Sequence, residues 1–266
     1  AVVLYPLIWM VTMAFKPYPE WTTVQGLTWL PKDPTLQNFE FLFFGHANGL
    51  VVTLDRTVVM PMISSLVTST LGTAIAVICG TLSSYAVVRF GQAPSMPLSI
   101  LQLRLFPPLA VMIPVMVMWA FMGAIDTWWG LSIIYGIVTL PFGFWLMKTF
   151  FEEVPIEIEE AARVAGSSRF RVFWKITLPI VKPGLATCVL FVFIMNWSDY
   201  LLALLLTQKE WVTLPVYMST LSAAMSGQMY GMKAALGILA AVPPVVFGLL
   251  IQKHLVRGLT FGALKQ

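Results

Sequence analysis

Apolar residues fall into six runs, at about 1–15, 58–88, 98–122, 131–150, 184–206 and 234–251, with polar residues gathered between them. The last five runs fit helices of about 20 residues, the length that crosses a bilayer. None of the runs shows the period-2 alternation of a membrane barrel strand. Helices follow, because lipid offers no partner to free backbone groups. The first run is too short to span, and the sequence opens at Ala1 inside it, with no basic segment or small-residue cleavage pattern. We read it as the outer part of a trimmed first span rather than as a cleavable signal peptide. The expected fold class is an all-α polytopic membrane protein with six transmembrane helices, one domain over residues 1–266.

Composition strengthens this reading. Apolar types make up 58% of the 266 residues and charged types 11%, and the mean hydropathy is +0.83. Soluble domains carry about 25% charged residues, so the chain lacks the charge to cover a water-facing surface. A soluble enzyme, a nucleic-acid partner and a disordered chain are excluded on that ground. The net charge of +4 matters through its placement. Ten basic residues (Arg89, Lys148, Arg163, Arg169, Arg171, Lys175, Lys182, Lys253, Arg257 and Lys265) lie on one set of loops. Five (Lys16, Lys32, Arg56, Lys209 and Lys233) lie on the other. The positive-inside rule then puts the middle loop (150–183) and the tail (254–266) in the cytoplasm, and the loops 16–57 and 207–230 outside. Trp128, Trp129 and Trp211 fall at outer turns, as an interfacial aromatic belt requires.

Cys79 and Cys188 sit inside long apolar runs and read as buried small hydrophobes rather than a disulfide. His46 and His254 are isolated, and no metal-ligand spacing is present. Pro61, Pro107, Pro108, Pro114, Pro141, Pro243 and Pro244 interrupt the runs. Such breaks fit bent helices around a pathway or ordinary packing kinks.

The middle loop stands apart. It carries five glutamates and several basic residues. Pro155 suits a first helical turn, Ile156 through Ala165 are good helix formers, and Gly166 supplies a stop. Ser167 or Ser168 can cap a second short helix. Two short exposed helices at an angle are therefore expected. With Ala161, Ala162 and Ala165 on it, the first helix could enter another protein's groove or lie on the lipid headgroups.

Glu160-Ala161-Ala162, three residues, Gly166, nine residues, then Ile176-x-Leu178-Pro179 resembles the EAA loop of binding-protein-dependent ABC importer permeases. Trp197-Ser198-Asp199-Tyr200 is similar to the W-N-D-F segment of the carbohydrate-uptake branch, with Ser for Asn and Tyr for Phe. The ending Val256-Arg257-Gly258-Leu259-Thr260 through Gly262-Ala263-Leu264-Lys265 resembles that branch's V-x-G-L-T-x-G-A-V-K. Phe15-Lys16-Pro17 and Asp33-Pro34-Thr35-Leu36-Gln37-Asn38-Phe39 resemble its first external loop. The likeness covers essentially the whole chain and points to the six-span subunit of a maltose-, polyol- or glycerol-phosphate-type importer.

This resemblance implies a type I ABC importer permease fold in a bacterial inner membrane. It implies as partners a second permease subunit, two ATPase subunits holding ATP and Mg, and an external solute-binding protein. No G-x-x-x-x-G-K-[ST] loop occurs in this chain, in keeping with ATP hydrolysis elsewhere and no cofactor here. It further implies that 156–166 couples to the ATPase through Glu160, Ala161, Ala162, Gly166, Ile176, Leu178 and Pro179. The tail 254–266 either reaches the ATPase as well or meets anionic lipid. Segment 207–230, with Ser219, Ser222, Ser226 and Gly227, either enters the binding protein's cleft or is an ordinary connector.

Arg104 lies about 9 Å inside the third run at a rise of about 1.5 Å per residue. A guanidinium there must face a cavity or a partner, as a solute contact or as a donor to carbonyls freed at Pro107 and Pro108. Asn196, Trp197, Ser198, Asp199 and Tyr200 combine hydroxyl-recognising and aromatic groups, the set a sugar site needs. They also suit a polar cluster locking helices together. A self-contained carrier or channel is the alternative function, and it would leave the middle loop without a role. A membrane enzyme lacks convergent catalytic groups, and exporter-type permeases lack the EAA spacing.

Overall fold

Small and hydroxyl-bearing residues recur at helical spacing along 59–90, and they determine how the helices meet. A computed structural model of the protein describes residues 4–17, 20, 29–46, 56–91, 95–105, 108–224 and 230–262. In chain order the helices are α1 (Leu4–Ala14), α2 (Gln37–Phe44), α3 (Val59–Phe90), α4 (Met96–Leu105), α5 (Pro108–Phe121), α6 (Trp128–Glu152), α7 (Ile156–Val164) and α8 (Arg169–Val172). A π-helical turn (Phe173–Thr177) then leads to α9 (Leu178–Ile180), α10 (Lys182–Trp197), α11 (Leu201–Leu206), α12 (Leu214–Ala224) and α13 (Tyr230–Gly262).

Helices α3 and α6 are the central pair. Ser64, Ser65, Thr68, Ser69, Gly72, Thr73, Ala76, Gly80, Thr81 and Ser84 are buried along α3. Leu66, Leu71, Ile78 and Leu82 of the same helix are exposed. Small residues inward and large apolar ones outward is the pattern of a membrane helix packed on its own chain on one side and offering an apolar face to lipid or a partner subunit on the other. Between α3 and α6, backbone comes closest to backbone at Gly80, where a Cβ would stand 2.8 Å from the Phe144 nitrogen and 2.9 Å from the Gly143 carbonyl carbon. Only a glycine lets the two backbones come that near.

Two apolar cores fill the halves of this frame. One gathers Trp119, Leu131, Ile134, Phe193, Trp197, Leu206, Leu214 and Leu236. The other gathers Val77, Tyr85, Met147, Phe151, Phe173, Val181 and Cys188. The first core is closed by a staple at Asp126, a residue with φ 56°. Its carboxylate accepts the amides of Gln208, Lys209, Glu210 and Trp211 at 3.1, 2.8, 2.8 and 3.0 Å. Burial pushes the carboxyl group up, but these four donors outweigh it and hold Asp126 below the ordinary carboxylate value. Arg56 donates to the Lys209 carbonyl, and the Tyr217 hydroxyl donates to the Arg56 carbonyl at 2.8 Å.

All six apolar runs hold helices, yet their form corrects the sequence reading in places. Among the described residues three helices are each long and apolar enough to span: Val59–Phe90, Trp128–Glu152 and Tyr230–Gln252. Arg169–Ile180 and Lys182–Trp197, bent by 75°, make a fourth if taken together. The third run holds α4, described to Leu105, and α5, described from Pro108, with 106 and 107 outside the described residues. The fifth is interrupted after Trp197, where Asp199 draws the amides of Leu202 and Ala203 to its carboxylate and starts a new helix. The last helix begins at Tyr230 and continues through Gly262, so most of the expected tail is an extension of the span. Residues 263–266 lie outside the described residues. Cys79 is exposed, not buried; Cys188 is buried, and both are free thiols.

Candidate functional site

The middle loop folds as a helix–turn–helix whose punctuation is chemical. Pro155 precedes α7 with φ −58°, and Glu157 and Glu159 occupy its first turn, where the helix dipole favours negative charge. Gly166 ends it at φ +86°. Its amide donates to the Arg163 carbonyl at 2.9 Å, and the Ser167 amide donates to Ala162 at 3.0 Å. The Ser168 hydroxyl then accepts from the Arg171 amide at 3.3 Å and opens α8.

Adjacent residues on a helix point about 100° apart, and this divides the work of the two neighbouring glutamates. Glu159 turns inward. Its Oε1 accepts from Arg89 Nε at 2.7 Å and from the Thr177 hydroxyl at 2.9 Å. Its Oε2 accepts from the Tyr85 hydroxyl at 2.9 Å. Arg89 and Glu159 side chains are each 8% exposed, and a second Arg89 nitrogen donates to the Val154 carbonyl at 2.8 Å. Glu160 and Ala161 turn outward and are exposed, as is Gly166; Ala162 is half-buried. Val164 is 91% exposed, with Ile156 and Ile158 also open. Ile176 and Leu178 are partly buried and Pro179 is exposed. The seven motif residues thus share one end of the molecule, with the outward face of α7 carrying Glu160, Ala161 and Val164.

The motif did not reveal Glu159 or its partners. The one signal was density: three glutamates (Glu157, Glu159 and Glu160) share a nine-residue helix, and any that turns inward needs a donor. Among the several cations on that side, only the structure singles out Arg89 at the end of α3.

The polar residues of the fifth run diverge. Asn196 is buried against α3, its Nδ2 donating to the Thr73 hydroxyl at 3.2 Å. Trp197 is buried and donates to the Ala240 carbonyl of α13. Asp199 caps α11 and Tyr200 is exposed. Only Trp197 and Ser198 line a cleft, of 380 Å³, shared with Pro215, Met218, Ala240, Ala241 and Pro244. Arg104 lies on α4, and its side chain falls outside the described residues. Ser219 lies on α12, half-buried, donating to the Val216 carbonyl at 2.7 Å. The Ser222 side chain, Ser226 and Gly227 fall outside the described residues.

Comparison with known proteins identifies the family. The family described as binding-protein-dependent transport system inner membrane component matches residues 72–261. The trehalose transport system permease protein SugB of Mycobacterium tuberculosis is 32% identical, over 98% of this chain and 92% of its own. The trehalose/maltose transport system permease protein MalG of Thermococcus litoralis is 30% identical, over 98% and 91%. The sulfoquinovosyl glycerol transport system permease protein SmoH of Agrobacterium fabrum is 28% identical, over 98% and 89%. A chain from the crystal structure of a bacterial ABC transporter involved in the import of the acidic polysaccharide alginate shares the fold, with a TM-score of 0.74 at 22% identity, covering 95% of this chain and 90% of that one. The chain belongs to the family of binding-protein-dependent transport system inner membrane components, the membrane-spanning permease subunits of ABC importers, in which ATP hydrolysis lies in separate subunits.

Proposed function

We propose that this subunit passes a sugar or sugar-like solute, received from an external binding protein, into the cytoplasm, and that α7 is the element an ATPase subunit grips. The observation that carries the reading is the outward face of α7. Glu160, Ala161 and Val164 stand exposed on a helix whose neighbouring Glu159 is fastened to the membrane domain. A rigid, anchored helix with a low-relief exposed face suits a cleft in a moving partner, and it transmits displacement where a flexible loop would not. The relatives' substrates, trehalose, maltose and sulfoquinovosyl glycerol, share a glycosidic linkage, and that class is the solute proposed here.

In this reading the Gly166 end is cytoplasmic, as is the C-terminus, in keeping with the ten-to-five distribution of basic residues. ATP and Mg reside on two partner ATPases. A second permease subunit completes the pathway, and the apolar cleft of 610 Å³ along α3, α10 and α13, lined by Thr70, Ala74, Val189 and Phe247, supplies a surface for it or for the solute route. Nucleic acid has no place in the assembly.

The test is reconstitution in proteoliposomes with the co-purified permease, ATPases and binding protein, loaded with ATP or ADP. Uptake of a radiolabelled glycoside only with ATP and the binding protein is expected. Uptake by the purified chain alone, indifferent to ATP, would establish a self-contained carrier instead.

A further inference from the structure

We infer that the buried Arg89–Glu159 pair is the transmission joint of the subunit, making the short helix α7 and the long helix α3 move as one body. The inference rests on the coupling reading above and names the residues that carry the motion into the membrane.

The joint has an unusual number of ties for its size. The Glu159 carboxylate receives three donors from two other elements: Arg89 and Tyr85 from α3, and Thr177 from the π-helical turn. Arg89 also holds the Val154 carbonyl, just ahead of α7. A π-turn adds a residue to a helical turn and recurs at functional positions. Here it places Phe173 and Thr177 both inward, so that the Phe173 ring packs at a tilt against Tyr85, centroids 4.7 Å apart, while Thr177 reaches the carboxylate. A second strap runs beside the first. The Arg169 guanidinium of α8 lies 5.0 Å from the Phe90 ring, and Phe90 meets Tyr85 edge-on at 6.0 Å. Every segment of the helix–turn–helix is thereby fastened to the last two turns of α3.

Charge is not needed merely to fill this space. A buried ion pair recovers little of its desolvation penalty, and well-packed apolar residues often serve stability as well or better. What the pair supplies is direction: Arg89 holds Glu159 through Nε and the Val154 carbonyl through a second nitrogen, and such directed bonds resist sliding and rotation, whereas an apolar contact lets helices slip. From the joint, α3 runs about 24 Å to Thr73 at about 1.5 Å per residue. There it meets Asn196 and borders the 610 Å³ cleft. A push on Glu160 reaches that cleft without passing through any loop.

The experiment uses the whole importer in proteoliposomes, and reads solute taken up per ATP hydrolysed together with ATPase co-purification. Arg89→Met, Glu159→Met and the double Met variant are each compared with wild type. All three are expected to keep the ATPase bound through the untouched outward face of α7. All three are also expected to lose about tenfold or more in solute per ATP, a coupling loss within the usual range. Full coupling in the double variant would overturn the joint, since it would mean that packing alone suffices. A second arm keeps the test sound if the Met variants assemble poorly. Arg89→Cys/Glu159→Cys, in a background where Cys79 and Cys188 are replaced by Ala, is bridged with a cleavable thiol cross-linker. Coupling is expected to return on bridging and to vanish on cleavage; coupling indifferent to the bridge would overturn the joint. A wild-type importer without ATP-dependent uptake would instead defeat the coupling reading itself.

Discussion

The indole nitrogen of Trp197 donates to the carbonyl of Ala240 at 3.0 Å, and that carbonyl is the one Pro244 deprives of its helical donor. A proline at position i removes the N–H that would pair with i−4, and in an apolar medium the freed oxygen needs another partner. The tryptophan of the fifth run therefore replaces the helical donor that Pro244 removes from the last helix, and it joins α10 to α13 where the 380 Å³ cleft opens.

Replacing Trp197 with Phe keeps the ring and removes the donor. It is expected to destabilise the protein by about 1–3 kcal/mol, the usual penalty of a buried unsatisfied group, read as a lowered melting temperature in detergent. Combining it with Pro244→Ala restores an amide at 244 and should recover most of the loss. Equal destabilisation with and without Pro244→Ala would refute that replacement.

At Gly80 the backbones of α3 and α6 meet, and Gly80→Ala sets a Cβ against the Phe144 and Gly143 backbone. Backbone gives way poorly, so overpacking is expected to cost about 1–3 kcal/mol. Gly248 has nothing within 4 Å of its Cβ position, so Gly248→Ala is expected to be neutral or stabilising by up to about 1 kcal/mol. Melting temperatures of the two variants should move apart; a common shift would contradict the packing described.

The Asp126 staple carries a pH signature. Its folded pKa is depressed, so its contribution is fully present above the ordinary carboxylate value and is lost as pH falls through the folded value. Asp126→Asn should lower stability by about 1 kcal/mol near neutrality, a figure kept small because the partly exposed carboxylate is screened by solvent. The melting-temperature gap between wild type and Asp126→Asn should close toward acid. A gap that stays constant with pH would count against the staple.

Gly166 tests strain against bulk. At φ +86° a β-branched residue costs about 1–2 kcal/mol and asparagine less. Gly166→Val is expected to reduce uptake by about tenfold, the ratio matching about 1.4 kcal/mol, and Gly166→Asn far less. Equal loss in both would place the sensitivity in side-chain bulk at the docking face and not in the turn.

The sequence disclosed the apolar runs, the two short helices of the middle loop and their punctuation, because propensity and capping are local. Gly166 and Ser168 were readable for that reason. It did not disclose what depends on a third element. Glu159 and Glu160 look alike in the chain, and only the packing of α7 on α3 turns one toward Arg89. Asn196 through Tyr200 read as one cluster because they are contiguous. In space they serve three neighbours, since the break after Trp197 sends successive side chains to α3, α13 and α11. Cys79 was misplaced because a span has a lipid face as well as a protein face, and apolar context alone does not distinguish them.

The central claim is that the exposed face of α7 is held by an ATPase subunit, and site-directed photocross-linking from position 164 tests it most directly. With benzoylphenylalanine replacing Val164, which is 91% exposed, illumination of the membrane-embedded importer should yield an adduct with the ATPase subunit whose yield changes when ATP is bound. Adducts with lipid alone, in every nucleotide state, would contradict the account.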